Sequence, residues 1–256
     1  MRRRLTFVAL VIAGLLVVVG GTAEAGLIWH SALDGDASAL VGGDGVATGT
    51  PTATADLNGI AGGAVLFGGD ADVDFFTVTP TLASFTAGSI SAWVRPDTVD
   101  GSEDGVIGVG ASGGGSSVYF SFMNRDDERW RVDLDDGSDR RDVLSNAAAA
   151  AGAWRHMVVT FDSASGGSEE LRMYIDAALQ SDVQGIGGDN DPYTMSNDWL
   201  IGTERTGSRF FNGAIDDVRI YDHELSQNEI TALFEQGPLY VPEPATVCLL
   251  GLGALG

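Results

Sequence analysis

The sequence predicts an all-β fold, an antiparallel sandwich or barrel with one short helix near its C-terminal end. Hydrophobic residues alternate with a period of two rather than 3.6, and the short apolar runs are separated by Gly, Asp and Asn. No alternation of strands with long helices interrupts this pattern. Many short strands at close spacing are typical of antiparallel sandwiches and barrels.

The alternating runs place the strands between residues 27 and 221. We predict them at Leu27–Ser31, Ala64–Phe67, Val73–Val78, Ser89–Arg95, Gly105–Val109, Ser117–Met123, Arg129–Leu134, Arg155–Asp162, Leu171–Asp176, Trp199–Ile201 and Ala214–Tyr221. In the residues that lead into the third strand, a period of two puts Asp70, Asp72 and Asp74 on one face, which we expect to be solvated.

The helix is signalled by a capping box. Ser226 can cap the first turn and Glu229, three residues later, can return the hydrogen bond. Leu225 and Ile230 occupy the positions of a hydrophobic staple. Leu233 continues the apolar stripe, so we expect the helix to pack on the strands.

The first 25 residues have the features of a secretory signal peptide. A basic opening, Met1–Arg4, precedes an apolar run that is shorter than the roughly 20 residues a membrane span needs. Ala23 and Ala25 then form a small-residue cleavage pattern. We therefore expect export, with signal peptidase cutting before Gly26.

The last 16 residues, 241–256, differ sharply from the acidic body. Pro242, Glu243 and Pro244 precede an uncharged apolar segment. This arrangement resembles the PEP-CTERM sorting signal of Gram-negative and related bacteria, although the basic end of that signal is absent, so the tail is either truncated or defective. The resemblance implies processing by an exosortase and a location at the cell surface or outside the cell.

The body between these ends, residues 26–240, is predicted to be one domain. It contains no Pro-rich or Ser-rich linker, and the only cysteine, Cys248, lies in the tail. The formal net charge is -22 and the chain has no lysine, so nucleic acid is a poor partner. The acidity has two open explanations, a solvated surface or the binding of cations.

Four segments of the body resemble the LamG-like jelly-roll, or concanavalin A-like, domains. They follow the family's order along nearly the whole body, and the last, with the Leu-Ser and Glu-Ile pairs that follow it, is the most specific. The resemblance implies a jelly-roll sandwich. Ala177 stands where the family usually has Gly, so the hairpin there is open to another turn type. The segments are Ser91–Pro96, Trp154–Asp162, Leu171–Asp176 and Phe211–Tyr221.

The carboxylates of the body do not form a catalytic pattern. The Glu-x-Asp-x-x-Glu motif of sandwich-type glucanases is absent. In the most acidic strand, residues 127–135, aspartates alternate with arginines on one face, which predicts a self-neutralising solvated stripe. Trp130 falls on the opposite, core-facing side. We therefore predict a non-catalytic protein.

Calcium is the cation that the resemblance favours. In related sandwich domains a structural calcium site often joins the first strand region to the aspartate that here is Asp216. Asp34, in the oxygen-rich turn Asp34-Gly35-Asp36, is the expected partner, because calcium prefers carboxylate and carbonyl oxygens. A plain hydrogen-bonded carboxylate at Asp216 remains the alternative.

The predicted function is an exported, non-catalytic surface or matrix module that binds carbohydrate or an extracellular protein. Candidate contact residues are aromatic side chains in and near loops, which can stack on sugar rings but equally suit a core: Tyr193, Trp199, Phe210 and Phe211. Two alternatives remain, a hydrolase or lyase acting on polysaccharide and a purely structural surface component.

Overall fold

The all-β prediction is confirmed. The computed structural model describes residues 26–80, 87–109, 119–124, 127–135, 140–162, 171–184, 198–204 and 207–238. These residues form two antiparallel sheets and one α-helix. The signal-peptide and tail predictions, including Ala23, Ala25, Pro242, Glu243 and Pro244, lie outside the described residues. None of the described helices has the length and apolar character needed to cross a membrane.

The first sheet has β16 near its centre. Its strands follow the spatial order β13-β12-β11-β6-β16-β4-β3, and β1 pairs with β16 beside β4. Their bounds are β1 Leu27–Ser31, β3 Thr52–Ala55, β4 Ala61–Gly68, β6 Ala87–Pro96, β11 Arg155–Asp162, β12 Leu171–Ile175, β13 Ala178–Leu179 and β16 Asn212–Tyr221.

The second sheet faces the first across the core. Its spatial order is β14-β10-β9-β8-β7-β15-β5-β2. Its strands are β2 Val46–Thr48, β5 Phe75–Val78, β7 Asp104–Val109, β8 Tyr119–Asn124, β9 Arg129–Asp135, β10 Arg140–Ala148, β14 Asp182–Gln184 and β15 Trp199–Ile201.

The main core lies between the two sheets. It is filled by alternate residues of both, including Trp29, Phe67 and Trp130, each almost completely buried. The alternation of the strands, inward apolar and outward polar, is what the period of two predicted. Burial of this much apolar surface is the main stabilising contribution to the sandwich.

The predicted helix is confirmed as α1, Gln227–Gln236. Ser226 caps it, and both hydrogen bonds of the capping box with Glu229 are present. Ile230 and Leu233 are buried in a second, smaller apolar cluster on the outer side of the first sheet, together with Tyr221. The helix therefore covers that face of β16.

The hairpin between β12 and β13 keeps the usual turn despite Ala177. Asp176 and Ala177 both have positive φ, 51° and 61°, which is the pattern of a type I′ turn. The family's Gly is replaced here by an alanine in the left-handed region, at a cost in backbone strain.

Two acidic segments differ from the predictions. The chain reaches β5 only at Phe75, since Gly69–Ala71 is a 3-10 turn and Val73 has a φ of 57°. Asp74 is buried and accepts a hydrogen bond from the Thr50 N–H at 2.6 Å, so the three aspartates do not share a solvated strand face.

The aspartate–arginine stripe is paired as predicted, but only part of it is solvated: the side chains of Asp127 and Arg129 are 40% and 28% exposed, whereas those of Arg131 and Asp133 are not. Arg131 and Asp133 are buried and bonded to each other. Asp142 and Arg140, from β10, close the cluster at 2.5 Å to Arg131 and 3.1 Å to Asp133. The charged side chains of the neighbouring strand β10 therefore cover Arg131 and Asp133 and shield them from water.

Candidate functional site

A cluster of four carboxylates forms where the turn after β1 meets the middle of β16. We call it the carboxylate cluster, and its members are Asp34, Asp56, Asp216 and Asp217. The pairing of β16 with β6 is irregular between Asp216 and Arg219. Asp217 adopts a left-handed backbone with φ of 47°, and its N–H bonds the carbonyl of Ala32 at 3.2 Å. This irregularity draws the Asp216–Asp217 pair against the turn that carries Asp34.

Asp217 is satisfied by two side-chain partners, His30 and Arg219. Its Oδ1 lies 2.7 Å from His30 Nε2, and Arg219 donates to both of its oxygens at 3.1 and 3.0 Å. Burial opposes ionisation, but the hydrogen bond from His30 and the charge of Arg219 hold the pKa of Asp217 below its usual value. Asp217 is therefore a structural anion.

Asp216 has no such partners. Its exposed fraction is 0%, and neither carboxylate oxygen makes a hydrogen bond to the described part of the chain. Burial, with the nearby charges of Asp217, Asp56 and Asp34, raises the pKa of Asp216 to about 9. A fully buried carboxyl without a donor is costly, and either a proton or a cation relieves that cost.

The donor chemistry of the carboxylate cluster fits a hard cation. Asp34 and Asp56 lie close enough for their charges to act on Asp216, and carboxylate oxygens are the ligands calcium prefers. No three Asp, Glu, His or Cys side chains of the described ranges are arranged as a ready metal site. Carbonyl oxygens or waters would have to complete the coordination.

A second feature lies at one end of the strands β5, β7 and β15 of the second sheet, where three loops meet. Phe75, at the start of β5, stacks on Phe210 with ring centroids 6.1 Å apart and an interplanar angle of 28°. Both rings are half-buried. The backbone of Phe210 forms isolated β-bridges with Gly105 and with Thr203. The ends of β7 and β15 therefore hold the Phe75–Phe210 pair in place.

Charged groups surround this aromatic pair. The carboxylate of Asp70 accepts a hydrogen bond from the Phe210 N–H at 2.9 Å. Arg209, the preceding residue, bonds Glu103 at 2.8 Å. Burial, with the charges of Asp100 and Asp70, raises the pKa of Asp104, although Ser102 donates to it. We call this group the rim site: Asp70, Phe75, Glu103, Asp104, Arg209 and Phe210.

The backbone at the rim site is closely packed. Gly105 donates its N–H to the carbonyl of Arg209 at 2.8 Å. A Cβ at Gly105 would lie 2.1 Å from the backbone N of Glu204. Only glycine permits this approach, so the loop that carries Arg209 and Phe210 is fixed against β7.

The predicted aromatic contact residues separate into three groups. Trp199 and Phe211 are core residues with exposed fractions of 2% and 0%, so the expectation that they are exposed is corrected. Trp199 is buried because its short strand β15 pairs with β5 and β7 on both sides. Phe210 is the member that reaches the surface, and Tyr193 lies outside the described residues.

Sequence reasoning missed most of the rim site. Phe75 was predicted to lie in a strand without a functional role, and Asp104, Arg209 and Glu103 were not predicted as site residues. The available signal was local: Phe75 begins a strand directly after an acidic turn, and Phe210 follows a glycine-rich loop. Their meeting depends on β5, β7 and β15 being neighbours, which the sequence alone does not specify.

Together, the two facing antiparallel sheets and their covering helix define the protein as a jelly-roll β-sandwich. Residues 67–231, more than half of the chain, match the family model of the Concanavalin A-like lectin/glucanases superfamily. The chain belongs to this superfamily. No curated protein sequence matches the chain significantly.

Solved structures with the same fold include a sugar-bound domain. Domain 4 of AbnA, an extracellular arabinanase from Geobacillus stearothermophilus solved with arabinotriose, is 20% identical with a TM-score of 0.63. The match covers 80% of this chain and 97% of that domain. At this identity the likeness concerns the fold.

Botulinum neurotoxin binding domains also match, over about half of their length. The serotype D ligand-binding domain, solved with N-acetylneuraminic acid, is 16% identical with a TM-score of 0.58, and the match covers 77% of this chain and 47% of that one. The receptor-binding domain of the C/D mosaic serotype is 16% identical with a TM-score of 0.62, over 82% and 51%.

Proposed function

We propose that this protein is an exported, non-catalytic module that binds glycans at the cell surface or outside the cell. The observation that carries the proposal is the half-exposed Phe75–Phe210 pair beside carboxylate oxygens. Aromatic faces pack against the C–H faces of sugar rings, and carboxylates accept hydrogen bonds from sugar hydroxyls. The rim site combines these two requirements on a rigid edge.

The comparison with AbnA domain 4 supports this function. That domain is matched over almost its full length and was solved with arabinotriose. The botulinum match supports it less, because it covers only 47% of that chain. Export follows from the signal-peptide prediction, and a non-catalytic role follows from the absent glucanase motif.

A glycan array probed with purified protein, with and without calcium, tests the proposal. We expect binding that is lost in Phe75→Ala and in Phe210→Ala. Trp154→Ala is a matched control, since Trp154 is half-buried beneath Arg95 and directly precedes β11 of the first sheet. An array without binding under either condition, or binding unaffected by both rim variants, would contradict the proposal.

We also propose that the carboxylate cluster takes a structural calcium ion. Asp216 would be its central ligand, with an oxygen of Asp34 or Asp56 beside it and carbonyl oxygens or waters completing the coordination. Bound calcium supplies positive charge to carboxylates that otherwise repel one another, and it links the turn after β1 to β16. The support is the buried Asp216 carboxylate, whose two oxygens lack hydrogen bonds within the described residues.

Calorimetric titration with calcium tests the cation site. We expect binding heat and a higher melting temperature for the native protein, and neither for Asp216→Asn. Asp97→Asn, which removes the same charge from an exposed ion pair with Arg95, should respond like the native protein. Absence of both heat and stabilisation in the native protein would remove the site.

A further inference from the structure

The charges of the rim site bear on which glycans it accepts. Four carboxylates, Asp70, Asp100, Glu103 and Asp104, lie on the loops that hold the aromatic pair. Asp70 contacts the Phe210 backbone directly. The charges of Asp70 and Asp100 both act on Asp104. Any ligand on the two rings therefore lies beside several negative groups.

The cationic side chain of the rim site, Arg209, already pairs with a carboxylate. The guanidinium of Arg209 is 2.8 Å from the carboxylate of Glu103, and its side chain is 47% exposed. An acidic sugar that approaches this guanidinium also meets the Glu103 carboxylate. The repulsion between the two carboxylates offsets part of the attraction to Arg209.

The net charge of the whole molecule acts in the same direction as the carboxylates of the rim site. With a net charge of -22 and no lysine, its long-range field repels anions as they approach. Neutral sugars feel no such repulsion, and their hydroxyls can donate to the surrounding carboxylates.

We infer that the rim site selects neutral, hydroxyl-rich oligosaccharides and rejects acidic ones, such as sialylated or uronate chains. The inference rests on the proposed glycan-binding function and adds the ligand class. Glu103 is the specificity-determining residue, because it occupies the arginine that would otherwise receive a sugar carboxylate.

Matched sugar pairs separate the charge of the ligand from its shape. Galactotriose and trigalacturonate form one pair, and cellotriose and its triuronate form a second; within each pair a C6 alcohol is replaced by a carboxylate. Calorimetry at low and moderate salt measures the affinities of these sugars for the purified protein. The glycans that bind on the array are also compared according to their charge. We expect the neutral member to bind at least about tenfold tighter, corresponding to one unfavourable close charge.

Two variants locate the effect. Glu103→Gln removes the negative charge that pairs with Arg209, so the affinity for the acidic sugar of each pair should rise. The ratio of the neutral to the acidic affinity should therefore fall at least about threefold. Asp182→Asn removes the same charge from β14, at the opposite side of the second sheet from β5, and should leave the ratio unchanged, which distinguishes the local groups from the global field.

The outcomes distinguish this inference from the proposed function. Acidic sugars binding as tightly as neutral ones, or a ratio unmoved by Glu103→Gln, would overturn the charge selectivity and leave glycan binding in place. An empty array together with no heat from any of the four sugars would overturn both.

Discussion

The buried ion cluster at Asp217 yields a quantitative stability prediction. Asp217, Arg219 and His30 have side-chain exposed fractions of 5%, 4% and 8%. Removing one partner of a buried ion pair costs about 3–5 kcal/mol, because the other charge is left buried without compensation. Asp217→Asn is the suitable change, since asparagine tolerates the left-handed backbone at this position.

The expected loss of stability is the cost of breaking the buried ion pair minus the hydrogen bond that asparagine keeps. Asparagine retains a hydrogen-bond acceptor worth about 1 kcal/mol, so the free energy of unfolding should fall by about 2–4 kcal/mol. For a domain of this size each kcal/mol lowers the melting temperature by about 2–4 °C. The predicted decrease is therefore about 4–16 °C, measured by chemical and thermal denaturation at pH 7.

The matched control is Asp97→Asn. It removes the same unit of charge, but the Arg95–Asp97 pair is exposed by 20% and 38%, and such pairs contribute about 1 kcal/mol or less. If the two variants lose equal and small amounts of stability, the cluster at Asp217 does not stabilise the fold as described.

Two further predictions concern pH and a turn. Burial lowers the pKa of His156 to about 4, below the 6.5 of an unfolded histidine, so its contribution to stability is complete above pH 6.5 and is lost as the pH falls toward 4. The stability lost through His156 amounts to about 3 kcal/mol. Between pH 7 and pH 4 the free energy of unfolding of His156→Gln should therefore fall by about that much less than the free energy of the native protein. If both proteins lose stability equally with pH, the assignment is refuted. Ala177→Gly should raise the melting temperature by about 1–4 °C, because glycine relieves the left-handed strain in the turn with Asp176, and a lower melting temperature would show that the turn is not strained.

The sequence predicted those parts of the fold that depend on local pattern. β16, the helix α1 and its capping box were all located, since their alternation and capping signals lie within a few residues of each other. β10, Arg140–Ala148, was missed, because its Arg, Asp and Asn residues carry no β preference. It forms through pairing with β9 and β14 on both sides.

The candidate sites depended on contacts that no local pattern specifies. Asp216 was singled out through the family resemblance, and its complete burial without hydrogen bonds within the described residues is a result of the irregular pairing of β16. Trp199 was a candidate for surface contact because it lies near a loop, yet its side chain belongs to the core and its strand has neighbours on both sides. Phe75 joins Phe210 only through the order of the strands.

A structure of the protein with a bound neutral trisaccharide tests the glycan-binding proposal most directly. We predict a sugar ring packed on Phe75 or Phe210, with hydroxyls donating to the exposed Asp70. A sugar bound on any other surface, with the two rings left uncovered, would contradict it.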